Sequence, residues 1–124
     1  MNLPYKMIQR IYLERAFCTV ELIEDVCENF SAFLEANSTH DSVVVPISAE
    51  HSRTISENFT CALPKLIELN NLLTLQNYSG EILLQIYIKA YEYVPEISFS
   101  REMIKFLAEI SAEIDVDLID LIDA

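Results

Sequence analysis

The sequence predicts an α+β domain, a small and mainly antiparallel sheet with helices packed on one face. Three observations carry this expectation. Residues from Val20 repeat apolar side chains at helical spacing, residues 81–93 alternate aliphatic with polar or aromatic ones, and residues 112–118 alternate aliphatics with acids. Helical and two-residue periods thus succeed one another in a chain of 124 residues, with no repeat and no linker, as a single domain over 1–124.

Each element follows from its local pattern. Residues 6–17 fit a strand or a helix, and the strand is favoured; the conformation of residues 1–18 is the least determined part of the chain. A helix is expected from Val20 to about Ala36, capped by Thr19, with Leu22, Ile23, Val26, Cys27, Phe30, Phe33 and Leu34 on one side. Residues 37–42 form a turn, and Val43 to Ile47 is a β-branched run whose Pro46 suits an edge strand. In the next helix Phe59, Ala62, Leu63, Leu66, Leu69 and Leu73 share a face. The capping-box pattern Thr54-Ile55-Ser56-Glu57 favours an early start, whereas Pro64 would either kink that helix or begin it. A turn at residues 77–80 leads into a strand from Glu81 to Tyr93, whose Ile82, Leu84, Ile86, Ile88 and Ala90 should face the helices. Ser100 caps a helix from Arg101 to about Ser111 with Met103, Phe106, Leu107 and Ile110 inside. The last strand, Ala112 to about Leu118, should turn Ile114, Val116 and Leu118 inward.

Charge narrows the function. The net charge is −12, and residues 16–52 and 106–124 hold thirteen of the twenty acids with no Lys or Arg. Such segments repel themselves, disfavour nucleic acid and anionic membranes, and favour a basic partner or bare solubility. No apolar run is long enough for a membrane span and the first residues do not open a signal peptide, so a cytoplasmic location is expected. Cys18, Cys27 and Cys61 fit neither a zinc ribbon nor a C-x-x-C site and are expected reduced and buried.

Catalytic chemistry finds little footing. His40 and His51 are the only histidines, both in loop contexts without a nucleophile motif. The Asp-rich end, Glu113 to Asp120, lacks the glycine and bidentate Glu of an EF-hand loop, and one glycine in the whole chain leaves no phosphate loop. No catalytic residue, metal or cofactor is expected, and the protein is expected not to be an enzyme. The tyrosines point elsewhere. If the aliphatic residues of the last two strands face inward, Tyr87, Tyr91, Tyr93, Glu113, Asp115 and Asp117 project to the opposite face, and these together with Asp120 are the candidate partner-binding residues. Tyrosines beside carboxylates suit the centre of a protein interface. The alternative is that some of them pack under a loop or the N-terminal segment.

Residues 62–121 resemble a bacterial domain family of uncharacterised function, in which a Leu-rich helix, an amphipathic strand and a motif of capped helix and acidic strand follow one another. Here the motif runs Ile97-Ser98-Phe99-Ser100-Arg101-Glu102 through Leu107-Ala108-Glu109-Ile110 to Asp115-Val116-Asp117, with Ser111 where the family often has glycine. The resemblance implies a toxin-immunity context of the contact-dependent growth-inhibition type. On that basis the leading expectation is an inhibitor that binds the toxic, nuclease-like C-terminal domain of an effector. The alternatives are a phage-type acidic mimic of nucleic acid that inhibits a defence nuclease, and a homo-oligomeric interaction domain, suggested by the positive mean hydropathy of +0.23.

Overall fold

The computed structural model describes residues 3–36, 41–47 and 53–123. Its five strands form one sheet: β1 (Tyr5–Glu14), β2 (Phe33–Ala36), β3 (Asp41–Ile47), β4 (Ile82–Ala90) and β5 (Glu113–Asp120). They lie side by side in the order β2-β3-β1-β4-β5; every pairing is antiparallel except β4 with β5. Three helices, α1 (Val20–Asn29), α2 (Ile55–Leu75) and α3 (Arg101–Glu109), cover one side, and among the described residues no α-helix covers the other. This is the expected α+β arrangement.

The N-terminal segment is the centre of the sheet. Tyr5, Met7, Gln9, Ile11 and Leu13 are buried at every second position of β1, and β4 repeats the pattern with Ile82, Leu84, Ile86, Ile88 and Ala90. Against these pack Leu22 and Val26 of α1, Ile55, Phe59, Leu66, Leu69 and Leu73 of α2, and Met103 and Leu107 of α3. Both Thr19 and Ser100 cap their helices as expected. Thr54 and Glu57 form the full capping box, so α2 starts early and Pro64 lies inside it.

Several boundaries differ from those the sequence suggests. The first helix stops at Asn29, because Ser31 adopts a left-handed backbone (φ 54°) and the Ala32 N–H returns to the Val26 carbonyl. Phe33 to Ala36 then form β2, a strand that the helical spacing of Phe30, Phe33 and Leu34 conceals. β3 is interior, between β2 and β1; its Pro46 is tolerated because β2 pairs only with Asp41–Val44 and ends before it. β4 ends at Ala90, three residues short of Tyr93. Cys18 and Cys27 are half-buried, whereas Cys61 is exposed, with its sulfur 3.3 Å from an Arg53 guanidinium nitrogen. His40, His51 and most of the turn at residues 37–42 lie outside the described residues.

α3 ends in a Schellman arrangement: the Ser111 N–H donates to the Ala108 carbonyl and the Ala112 N–H to that of Leu107, with Ser111 left-handed at φ 54°. A side chain pays a steric cost in that conformation that glycine does not. Ser111→Gly is therefore expected to raise stability by about 0.5–1 kcal/mol after the greater flexibility of the unfolded glycine is allowed for. A lower melting temperature would contradict it.

The sheet is also clamped at one corner. The half-buried Tyr78 hydroxyl accepts from the Glu14 N–H and donates to the Glu81 carbonyl, joining the end of β1 to the start of β4. The chain's one glycine, Gly80, leaves room for it, since a Cβ there would collide with the phenol. Burial pushes the Tyr78 phenol well above the usual tyrosine range, reinforced by Cys18, Glu14 and Glu81 nearby, with the Glu14 N–H acting the other way. A phenol raised on folding contributes stability below its unfolded pKa, about 10, and loses it as the pH climbs toward the folded value. Tyr78→Phe should cost about 1 kcal/mol at neutral pH and make the fall in melting temperature above pH 10 shallower. A variant as stable as the parent, with the same alkaline slope, would show that the clamp contributes nothing.

Candidate protein-binding face

The alternation that buries one side of each strand dictates the other side. Reading across neighbouring strands, the helix-free face has five rows. Lys6, Lys89 and Ile119 form the first, and Ile8, Tyr87 and Asp117 the second. Pro46, Arg10, Gln85 and Asp115 form the third; Phe33, Val44, Tyr12, Leu83 and Glu113 the fourth; Glu35, Ser42 and Glu14 the last. Adjacent members of a row lie about 5 Å apart.

This map brings together four of the residues singled out from the sequence. Tyr87 has Asp117 beside it on β5, and Asp115 and Glu113 continue the same acidic column. Tyr91 lies just past the end of β4 and joins them: it is exposed, and the Lys89 ammonium sits 5.9 Å above its ring centre. Tyr93 does not. It falls after the alternation has ended, and its ring packs edge-on at 5.7 Å against Tyr5, a core residue on the helix side. Asp120 also belongs elsewhere. It is in register with Ala90, on the helix side, and its carboxylate accepts from the Ile122 N–H in the closing turn.

The face is not uniformly acidic, which charge counting alone does not reveal. Arg10 stands at its centre, stacked 5.5 Å from the Phe33 ring and 3.8 Å from the Glu35 carboxylate. Beside it Ile8, Arg10, Gln85 and Tyr87 line a shallow hollow of about 230 Å³. At the end where β1 leaves the sheet, a broader groove of about 830 Å³ is lined by Tyr12 and by the carboxylates of Glu14, Glu35, Asp41 and Glu81, with Arg15 among them. Among the described residues no ion pair engages Glu113, Asp115 or Asp117. Their charges face solvent.

β5 departs from the sequence expectation in a second way. Ile114, Val116 and Leu118 do point to the helix side, in register with Leu84, Ile86 and Ile88, yet they are 41%, 37% and 41% exposed. The helices cover β1 and β4 and stop short. All eight residues of β5 are exposed, and among the described residues no strand pairs with its outer edge.

Other chemistries have less support among the described residues: no three His, Cys, Asp or Glu side chains gather as a metal site, and no helix is long and apolar enough to cross a membrane. Fold and face together define an α+β domain built on one sheet, with one face closed by helices and the other open. Within that class, the chain belongs to DUF4279, a domain of unknown function, whose family pattern matches residues 39–121. The match extends well upstream of Ala62, where the resemblance read from the sequence begins, to take in β3 and the start of α2. It omits β1, although β1 lies between β3 and β4 and is needed to join them. No curated protein and no solved structure matches the chain.

Proposed function

We propose that this protein acts by binding a basic protein and blocking it, as a toxin-immunity protein binds the toxic domain of a growth-inhibition effector. The observation that supports this most is the juxtaposition of the Tyr87 hollow with a column of carboxylates on the open sheet face that form no ion pair among the described residues. A tyrosine supplies apolar contact area with a hydrogen-bonding tip, and carboxylates supply attraction to a basic cleft and rejection of acidic competitors. A nuclease domain is the favoured target, because its cleft is shaped for phosphates and an acidic protein is steered to it quickly. In this reading the protein is an inhibitor and not an enzyme, and it acts in the cytoplasm without a cofactor.

Affinity capture from the source cells with the full chain, followed by mass spectrometry and an activity assay on the captured protein, tests the reading. A basic protein whose nucleolytic activity is suppressed by one equivalent is the expected result; an acidic partner, or one that stays fully active when saturated, would refute it. The kinetics carry a further prediction. Association should slow markedly as salt rises from 0.1 M to 1 M, where the Debye length falls from about 10 Å to about 3 Å, while dissociation changes far less. A salt-independent association rate would remove charge from the account.

A further inference from the structure

The outer edge of β5 is an unfinished ladder. An eight-residue edge strand ordinarily carries a lysine, a proline or a bulge that prevents further pairing. β5 has no Lys, Pro or Gly, and it runs regularly in parallel with β4 along its whole length. Its free backbone donors and acceptors are flanked by two rows of different chemistry. On the helix side stand Ile114, Val116 and Leu118, each more than a third exposed, and on the open face stand Glu113, Asp115 and Asp117. A strand laid along this edge would meet all three features at once: hydrogen-bonding groups, an aliphatic row and an acidic row.

We propose that β5 receives an extended segment of a basic protein partner, one that alternates Lys or Arg with aliphatic residues and adds a sixth strand to the sheet. The proposal rests on the reading of the chain as a binder of a basic protein, and it names the element that does the binding. Charge selects this occupant over a second copy of the chain. Antiparallel self-pairing centred on Val116 would set Asp115 of one copy opposite Asp117 of the other, twice; centring on Asp115 or Asp117 sets a carboxylate against its own counterpart. Parallel in-register pairing does the same. Like charges directly opposite across a ladder are destabilising, whereas Lys or Arg at those positions meets Asp115 and Asp117 and leaves the aliphatics to cover Val116 and its neighbours. The acidic row thus guards the edge against its own kind and keeps it open to a basic strand.

The test titrates the full-length, nitrogen-15-labelled protein with a capped octapeptide alternating lysine and valine, and with the same peptide N-methylated at alternate residues, which keeps the charge and removes donors along one edge. The expected result is binding that shifts the amides of residues 114–119 most, weakened at least about tenfold by N-methylation, since several backbone hydrogen bonds are lost. Val116→Lys, a change at an exposed position, should abolish the response while leaving the rest of the spectrum in place. Equal affinity for the two peptides would reduce the contact to charge and overturn the edge. So would shifts centred on Ile8, Arg10, Gln85 and Tyr87, although that pattern leaves a protein-binding face intact. No binding at about 1 mM peptide also overturns it, with the captured partner still deciding the broader function separately. A protein that sizes as a dimer and becomes a monomer on Val116→Lys would show that β5 serves a second copy instead.

Discussion

Replacing Asp115 and Asp117 together by lysine is expected to weaken binding of the basic partner about 100-fold, while Glu24→Lys/Glu28→Lys weakens it less than tenfold. Both pairs change the net charge equally, so both slow long-range steering alike. Only the first places ammonium groups within the contact itself, next to Tyr87 and along the edge of β5. Two reversed charges at a close contact supply about 3 kcal/mol, whereas exposed charges on the back of α1 act mainly through the association rate. Melting should be unchanged or slightly raised in both variants, because no core residue is touched and a chain of net charge −12 gains by losing self-repulsion. Equal losses would mean that the whole field, and no particular face, attracts the partner. A larger loss from the α1 pair would move the interface to the helix.

The second large effect concerns Gln9, in the middle of β1. Its side chain points to the helix side in register with Ile47 and Ile86, has no exposed surface, and neither its amide nitrogen nor its oxygen has a hydrogen-bond partner among the described residues. An amide buried without partners costs about 1–3 kcal/mol relative to an apolar group of the same shape. Methionine matches the unbranched outline of glutamine and makes no demand for hydrogen bonds. Gln9→Met is therefore expected to stabilise the fold by about 2 kcal/mol, which for a chain of this length is a rise in melting temperature of roughly 5–10 °C. A fall in melting temperature would show that the amide is satisfied in solution after all.

How much of this was legible in the sequence depends on the range of the signal. The alternation of Ile82 to Ala90 and the caps at Thr19, Thr54 and Ser100 are written in neighbouring residues, so the helix starts and the strong strand could be placed. The end of α1 could not, because Ser31 takes a left-handed backbone with no glycine to announce it, and Phe33 and Leu34 continue the helical spacing by coincidence. Tyr87, Asp115 and Asp117 were placed on one face by parity alone. Parity does not extend to Tyr93, which lies beyond the last ladder pair, whereas Asp120 shares the parity of Ile114, Val116 and Leu118 and stands with Ala90 on the helix side. Two features needed the third dimension. Sequence spacing marks Ile114, Val116 and Leu118 as one side of a strand, but only the placement of the helices leaves that side uncovered; Arg10 enters the middle of the open face because β1, and no other strand, lies between β3 and β4.

Whether the partner engages the open face and the β5 edge is tested most directly by amide hydrogen exchange of the complex with the captured partner. New protection over residues 113–120 and around Tyr87, with exchange along α1 unchanged, is the expected result. Protection concentrated on Glu21 to Glu28, with β5 exchanging as freely as in the unbound protein, would contradict it.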